Sequence, residues 1–420
     1  MSSTEKEITR IRDMTIFKPK SPPKNLIHLA VNKLIDVDAT LPVLMELKWL
    51  YPQTNIMLIF YNDNQLNVIK KNYNIWEAIQ RMDARIYVIR SKNAFITLLR
   101  LILFLPRVLF KYNIVMKSGD TLPNHRITMK VLKIFSKTLE VKTYLVSQTS
   151  QGYRNNYAEL ELQQLSKNGI SIEKRFFGGY YDYFLSILSA EQFKNFFDAE
   201  APQHKIVKIG YPRKLPQWQK FVNEAVKRNQ NINGDRYFLY ILSTLSRTKL
   251  FYEEPHLIEL LEESLRILKK YNNKIKTVFR PHFITDLGRL EALLEEVGYT
   301  NYVIDQGHPM VLSSNAKFVF GNRFSMTMYD AYYLGKLVVE YCQYDPELLI
   351  RWKKQSYGGS CCDFFINRDK KQLDEILSKL IGGSIEVERD AKFIKENFTN
   401  TPQEFFDLWE KLLANTEKYP

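Results

Sequence analysis

The chain has three cysteines in 420 residues, two of them adjacent at Cys361 and Cys362. That leaves no disulfide framework and no metal-ligand spacing, so a reducing compartment is expected. No apolar run reaches the ~18–20 residues that a membrane span needs. The nearest, 95–110, is interrupted by Arg100, Pro106 and Arg107. The first twenty residues are polar and mixed in charge, and they lack the apolar core of a signal peptide. There is no fixed-period repeat. Zinc-finger spacing and an RNP-type aromatic strand are also missing, so nucleic acid is not an expected partner. No Asp-x-Asp stands at a strand end. The pair Asp36 and Asp38 lies early in the chain and reads as a loop and helix cap. Neither a metal nor another cofactor is expected.

What is present is positive charge and a globular balance of residues. Net charge is +14, with 45% apolar and 25% charged residues. Between Arg100 and Lys142 nine Lys or Arg face two acidic residues. Such a balance suits an anionic substrate or an anionic lipid surface. The stretch 95–110 reads either as a buried helix ending at a Pro-initiated turn or as a segment lying on an anionic membrane face. At this length two domains are expected.

Short apolar runs bounded by turn residues alternate with segments of helical spacing, the pattern of parallel sheets. In the first half, strands are expected over 26–31, 55–61, 85–89, 113–117 and 142–147. Helices are expected over 38–51, 64–72, 75–82, 94–105 and 126–136. The stretch 176–205 is aromatic-rich and reads as helical. A strand and turn at 205–213 lead to a linking helix over 215–230. The second half repeats the logic, with strands over 236–243, 276–279, 302–304, 318–320 and 337–340. Its helices are expected over 253–271, 286–298, 327–335, 371–380, 387–397 and 402–413. The fold class is therefore α/β with two doubly wound units. The expected division is a leader 1–23, a first domain 24–214, a linking helix and turn 215–234, a second domain 235–385 and terminal helices 386–420.

In such sheets ligands bind beyond the carboxyl ends of the strands. Ser243 and Arg247 follow the first strand of the second unit; they form either a phosphate cradle or a Ser/Thr-rich helix cap. Arg280 and His282 flank Pro281 at the next strand end, where a guanidinium pairs bidentately with phosphate. Asn322, Arg323, Ser325 and Thr327 open a helix, and its unpaired N–H groups offer an anion site while a hydroxyl caps it. His308 precedes Pro309 and reads as a structural turn that could face a base. In the first unit, Asp120 ends a strand and His125 follows. Asp120 could act as a general base for an acceptor hydroxyl or as the nucleophile of a double displacement, with His125 as the base instead, and Asp120 also reads as a turn residue.

Arg280-Pro281-His282, Ser325 with Thr327, and Gly335-Lys336-Leu337-Val338 together resemble the C-terminal half of GT-B glycosyltransferases. The closer resemblance is to bacterial surface-polysaccharide transferases that use CMP- or CDP-activated donors. These comprise Kdo transferases, polysialyltransferases and glycerophosphotransferases. Phe283 stands where those families carry a second proline, and Met326 separates the hydroxyl pair. The resemblance implies two Rossmann-like domains facing a cleft, with the nucleotide held by the second domain and the acceptor by the first. It implies transfer from a CMP-linked acidic sugar to a surface glycan or lipid-linked acceptor. The alternatives are a CDP-linked polyol-phosphate transferase and a GT-B-like binding protein without activity. A cytoplasmic location follows, with peripheral contact at the inner membrane face as an extension of it.

Overall fold

In the computed structural model, residues 25–30, 34–60, 63–88, 114–118, 142–146, 182–186, 206–229, 236–242, 257–283, 285–344 and 346–398 are described, with 95, 99, 103, 189–191 and 232. Two parallel sheets organise them.

The first sheet is built from β1 (Asn25–Ala30), β2 (Asn55–Phe60), β3 (Arg85–Val88), β4 (Ile114–Ser118), β5 (Lys142–Val146), β6 (Tyr183–Ser186) and β7 (Ile206–Lys208), in the order β3-β2-β1-β4-β5-β6-β7. Helix α1 (Leu34–Leu50) follows β1; α2 (Asp63–Lys71) and α3 (Tyr73–Arg81) lie between β2 and β3. The second sheet contains β8 (Tyr237–Ile241), β9 (Lys276–Arg280), β10 (Tyr302–Ile304), β11 (Phe318–Gly321), β12 (Leu337–Cys342) and β13 (Phe364–Asn367), ordered β10-β9-β8-β11-β12-β13. Every pairing in both sheets is parallel. Each order reverses direction once, between β1 and β4 and between β8 and β11. Those are the switch points at which doubly wound sheets bind ligands.

Helix α4 (Pro216–Arg228) links the sheets, with Pro at its first turn where no N–H is needed. The second unit carries α5 (Leu257–Leu268), α6 (Leu287–Val297), α7 (Pro309–Ser314), α8 (Met326–Tyr333), α9 (Pro346–Arg351) and α10 (Lys370–Gly382), and α11 (Ala391–Phe398) follows.

Strand β8 shows how the second sheet is filled. Tyr237, Leu239 and Ile241 face one core, whereas Phe238 and Tyr240 face the other, the two-residue alternation of a strand buried on both sides. One core is local: Phe238 stacks on Phe318 with ring centroids 4.8 Å apart, over α5 and α10. The other is shared by the two units. It runs from Val37, Leu41 and Leu44 of α1 through Trp218 of α4 to Met310 of α7 and Met328 of α8.

Three expectations are corrected. Residues 183–186, read as part of a helical region, form a strand of the first sheet, paired on both sides and next to the edge strand β7. Helix α1 starts at Leu34, so Asp36 and Asp38 lie inside its first turns and not in a loop before it. His308 and Pro309 open a short helix, α7, and β13 and α9 were not anticipated.

Candidate functional site

The second sheet presents its switch point between β8 and β11. Gly321 ends β11 opposite Ile241 of β8, and residues 322–325 connect it to α8. This connection is clamped from below. Glu340 of β12 is fully buried, and its Oε1 accepts from the Phe324 amide at 2.6 Å and from the Tyr344 hydroxyl at 2.6 Å. Its other oxygen accepts from the Ser356 hydroxyl. Burial raises the Glu340 pKa, and the three donors oppose that rise without cancelling it. Phe324 is buried against Tyr329 with centroids 5.0 Å apart, and its ring lies directly over Gly358. A Cβ at Gly358 would stand 2.3 Å from that ring, so only glycine fits there.

On this platform the hydroxyls of Ser325 and Thr327 share a hydrogen bond at the start of α8. Both residues are half-buried, as is Arg323. The first N–H groups of a helix have no partner within it, and the helix dipole adds partial positive charge there. Helix starts of this kind suit an anion. Asn322 turns the other way. Its Nδ2 donates to Ser264 Oγ at 2.8 Å and to the Leu260 and Tyr341 carbonyls at 3.2 Å, and its Oδ1 accepts from Tyr240. Asn322 thus fastens the loop from inside.

Arg280 ends β9 on the face shared with the first unit. It is 8% exposed, and its Nε has no acceptor among the described residues. Burial weakens its hold on the proton; Asp38, Asp305 and Asp330 act against that and Arg213 adds to it. His282 is half-buried and packs its ring on Phe283 at 4.3 Å, so the phenylalanine in the place of a second proline serves as its platform.

Sequence reading missed the group beside Arg280. Asp38 of α1 accepts from Arg213 at 2.5 Å and from His308 Nε2 at 2.7 Å. Arg213 also pairs with Asp330 of α8, which accepts from the Tyr211 hydroxyl as well. His308 is fully buried and caps α7; its Nδ1 accepts from the Met310 amide at 3.1 Å, which leaves the hydrogen on Nε2 to donate to Asp38. Burial would raise the Asp38 carboxyl, but the Arg213 guanidinium and His308 outweigh it and hold its pKa at about 2. Burial also disfavours the Arg213 charge, and Asp330 and Asp38 more than reverse that. A second contact lies nearby. Asp305, just past β10, accepts from the Tyr73 hydroxyl of α3 at 3.0 Å and from Asn229 at 3.3 Å, and His308 N donates to Asn74 at 2.8 Å. The signal for this junction was thin: the Gly-Tyr-Pro-Arg turn before the linking helix, and an Asp-x-Asp near the end of β1.

Ser243, Arg247, Asp120 and His125 lie outside the described residues. Arg280, His282, Arg323, Ser325 and Thr327 all stand at the carboxyl ends of the second sheet's strands or just beyond them.

No family model and no curated protein matches the chain. Solved structures do. A UDP-N-acetylglucosamine 2-epimerase aligns with TM-score 0.53 and 12% identity, over 95% of this chain and 99% of that one. CalG4, the calicheamicin glycosyltransferase, aligns with TM-score 0.47 and 10% identity, over 94% and 97%. Medicago truncatula UGT71G1, complexed with UDP-glucose, aligns with TM-score 0.48 and 12% identity, over 94% and 98%. The fold is GT-B. In GT-B terms, the platform under α8 belongs to the second Rossmann-like unit, and the Asp38–Arg213–Asp330 group stands where the two units meet.

Proposed function

We propose that the chain is a glycosyltransferase that binds a nucleotide-activated donor at the start of α8 and transfers its sugar to a glycan or lipid-linked acceptor held by the first unit. The observation that carries this reading is the hydroxyl pair Ser325 and Thr327 at a helix start, beside a switch point, on a loop held by Glu340. Phosphate oxygens would receive the α8 amides, the two hydroxyls and Arg323. His282 on its Phe283 platform would contact the nucleoside, and Ser243 and Arg247 would complete the cradle. Arg280 would add buried positive charge behind the phosphate.

The favoured donor is a CMP-linked acidic sugar, on the resemblance at 280–282 and 325–327; a CDP-linked polyol phosphate is the near alternative. Asp120, or else His125, would take the acceptor proton. The leaving phosphate would be stabilised by cations and a helix dipole, as suits a transfer without a metal. Activity should then survive EDTA, and a complete loss restored by Mg²⁺ would contradict that part.

Thermal unfolding with CMP, CDP, UDP and GDP tests the core of the reading. A nucleotide at one hundred times its dissociation constant adds about 2.7 kcal/mol of stability. Cytidine nucleotides should raise the melting temperature most, and Ser325→Ala with Thr327→Val should abolish the rise. If none of the four shifts the wild-type protein, the nucleotide site is refuted. A preference for UDP would overturn the donor alone.

A second reading is favoured by the alignment with the 2-epimerase, the one structure named above with a TM-score over 0.5. On that reading the protein would rearrange a UDP-linked sugar without an acceptor. Conversion of UDP-N-acetylglucosamine alone, followed by NMR, distinguishes the two.

A further inference from the structure

Two arginines are buried where the units meet, and they differ in what they touch. Arg213 gives one terminal nitrogen to Asp38 and the other to Asp330. The Arg280 guanidinium makes no hydrogen bond or ion pair among the described residues, and its Nε is sealed from solvent. A buried polar group without a partner costs stability, a charged one most of all, so one that persists calls for an explanation.

The neighbouring acids do not supply the missing acceptor. Asp38, Asp305 and Asp330 are close enough to act on Arg280 through their charge. Yet Asp38 accepts from Arg213 and His308, and Asp330 from Arg213 and Tyr211. Asp305 accepts from Tyr73, Asn229 and the Gly307 amide. The acids are drawn to other donors, and the Arg280 fork is left over.

Position narrows what fills it. Gly321 of β11 pairs with Ile241 of β8, and Ile241 pairs with Arg280 of β9. The α8 loop and Arg280 therefore leave the sheet two strands apart, roughly 10 Å. Val278 lies in the core shared by the two units, and Arg280, two residues on, shares its face. A ligand whose phosphate lies at the α8 start would meet Arg280 with another of its groups. A guanidinium fork gives two N–H donors to two oxygens of a carboxylate or a phosphate. The three carboxylates here outnumber the two guanidiniums, which opposes a doubly charged terminal phosphate more than a singly charged carboxylate.

We infer that Arg280 is a socket for the carboxylate of a sugar acid, bound at the junction of the two units. The inference rests on the reading of the α8 start as a nucleotide site, which brings a sugar near Arg280. The carboxylate belongs either to the sugar linked to the nucleotide or to an acceptor sugar, and the test separates them. The full chain is titrated calorimetrically with UDP-glucuronate against UDP-glucose, with CMP-N-acetylneuraminate against CMP, and, when saturated with nucleotide, with free glucuronate against glucose. A donor carboxylate predicts that the acidic member of one nucleotide pair binds about tenfold tighter or more. An acceptor carboxylate predicts that free glucuronate binds and glucose does not. Arg280→Met should abolish either preference. Arg280→Lys keeps the charge but not the fork, and should cut the preference about threefold. Without ligand, the melting temperature of Arg280→Met should not fall below that of the wild type, since the free protein takes no hydrogen bond from Arg280. A fall would make Arg280 a structural residue and overturn the proposal. So would the lack of an acid preference in every comparison, or a preference that survives Arg280→Met. CMP and UDP alone report on the α8 site. If they bind and no acid is preferred, only the carboxylate socket fails. If they do not bind while free glucuronate binds through Arg280, only the nucleotide reading fails.

Discussion

Two groups of buried acid lie at α8, one at the domain junction and including its own Asp330, the other under its start, and they are stabilised by opposite means. At the domain junction Asp38 and Asp330 meet a guanidinium, and the Asp38 carboxyl is held far down its pKa scale. Under the α8 start Glu340 meets an amide and two hydroxyls, and its pKa is raised. A buried carboxylate paired with a cation keeps its charge and depends wholly on that cation. One surrounded by neutral donors depends on shape and on the number of hydrogen bonds. The first arrangement suits a contact that must be specific between two units. The second suits a loop that must stand in one place.

The comparison breaks most sharply at Arg213. Arg213→Met fills the space but leaves Asp38 and Asp330 buried without the guanidinium that pairs with both, Arg280 being the cation that remains nearby. We expect a loss of about 3–5 kcal/mol in urea unfolding. A loss below about 1 kcal/mol would mean that the two carboxylates find water or each other's protons, and that the junction is not held by charge.

Glu46 sharpens the comparison from a third side. It is buried in α1, accepts from the Gln217 amide at the start of α4 at 3.0 Å, and its Oε1 has no partner among the described residues. Burial pushes its pKa up to about 7. Its folded pKa exceeds the unfolded value, so the folded state holds the proton more tightly between about pH 4.5 and 7. Stability from this group is complete below the unfolded value and falls as pH rises to about 7. Glu46→Gln should remove that slope and stabilise the protein at pH 8 by about 3 kcal/mol, from ~1.4 kcal/mol for each pKa unit. Parallel melting curves at pH 5 and pH 8 check it; equal differences from wild type at both would contradict the assignment. Asp38 has the opposite sign. Its contribution is complete above the unfolded carboxyl value and is lost as pH falls toward about 2.

Gly358→Ala should cost about 1–3 kcal/mol by pressing on the Phe324 ring, an overpacking effect. It should also weaken nucleotide binding, because the ring supports the α8 start. Unchanged nucleotide affinity would separate the platform from the site. The smallest effect is expected at Glu340→Gln. Its Oε1 can keep the Phe324 and Tyr344 donors while its amide meets Ser356, so the change should stay within about 1 kcal/mol, as isosteric swaps do. A loss like that of Arg213→Met would show that Glu340 works as a charge after all.

The strands were legible because buried parallel strands are short β-branched or aromatic runs between turn residues. The exceptions are instructive. Tyr183–Ser186 sits in a stretch so dense in aromatics that no period separates strand from helix. The helix Pro309–Ser314 did have a signal, proline at its first position, but its cap is a histidine and not one of the usual small polar residues. The α8 start was legible because caps and anion sites share residue types. Asp38 was not, since its partners Arg213 and His308 lie 175 and 270 residues away and an isolated Asp-x-Asp says nothing of them. The carboxylates facing Arg280 were hidden for the same reason.

Helix α8 is a rigid rod with two addresses. Its start carries the Ser325–Thr327 hydroxyl pair, and Asp330, five residues after Ser325, grips Arg213 at the junction. At 1.5 Å per residue that is about 7.5 Å of helix. The hydroxyl pair at its start and the salt link to α1 are therefore separated by no more than one turn and a half of backbone.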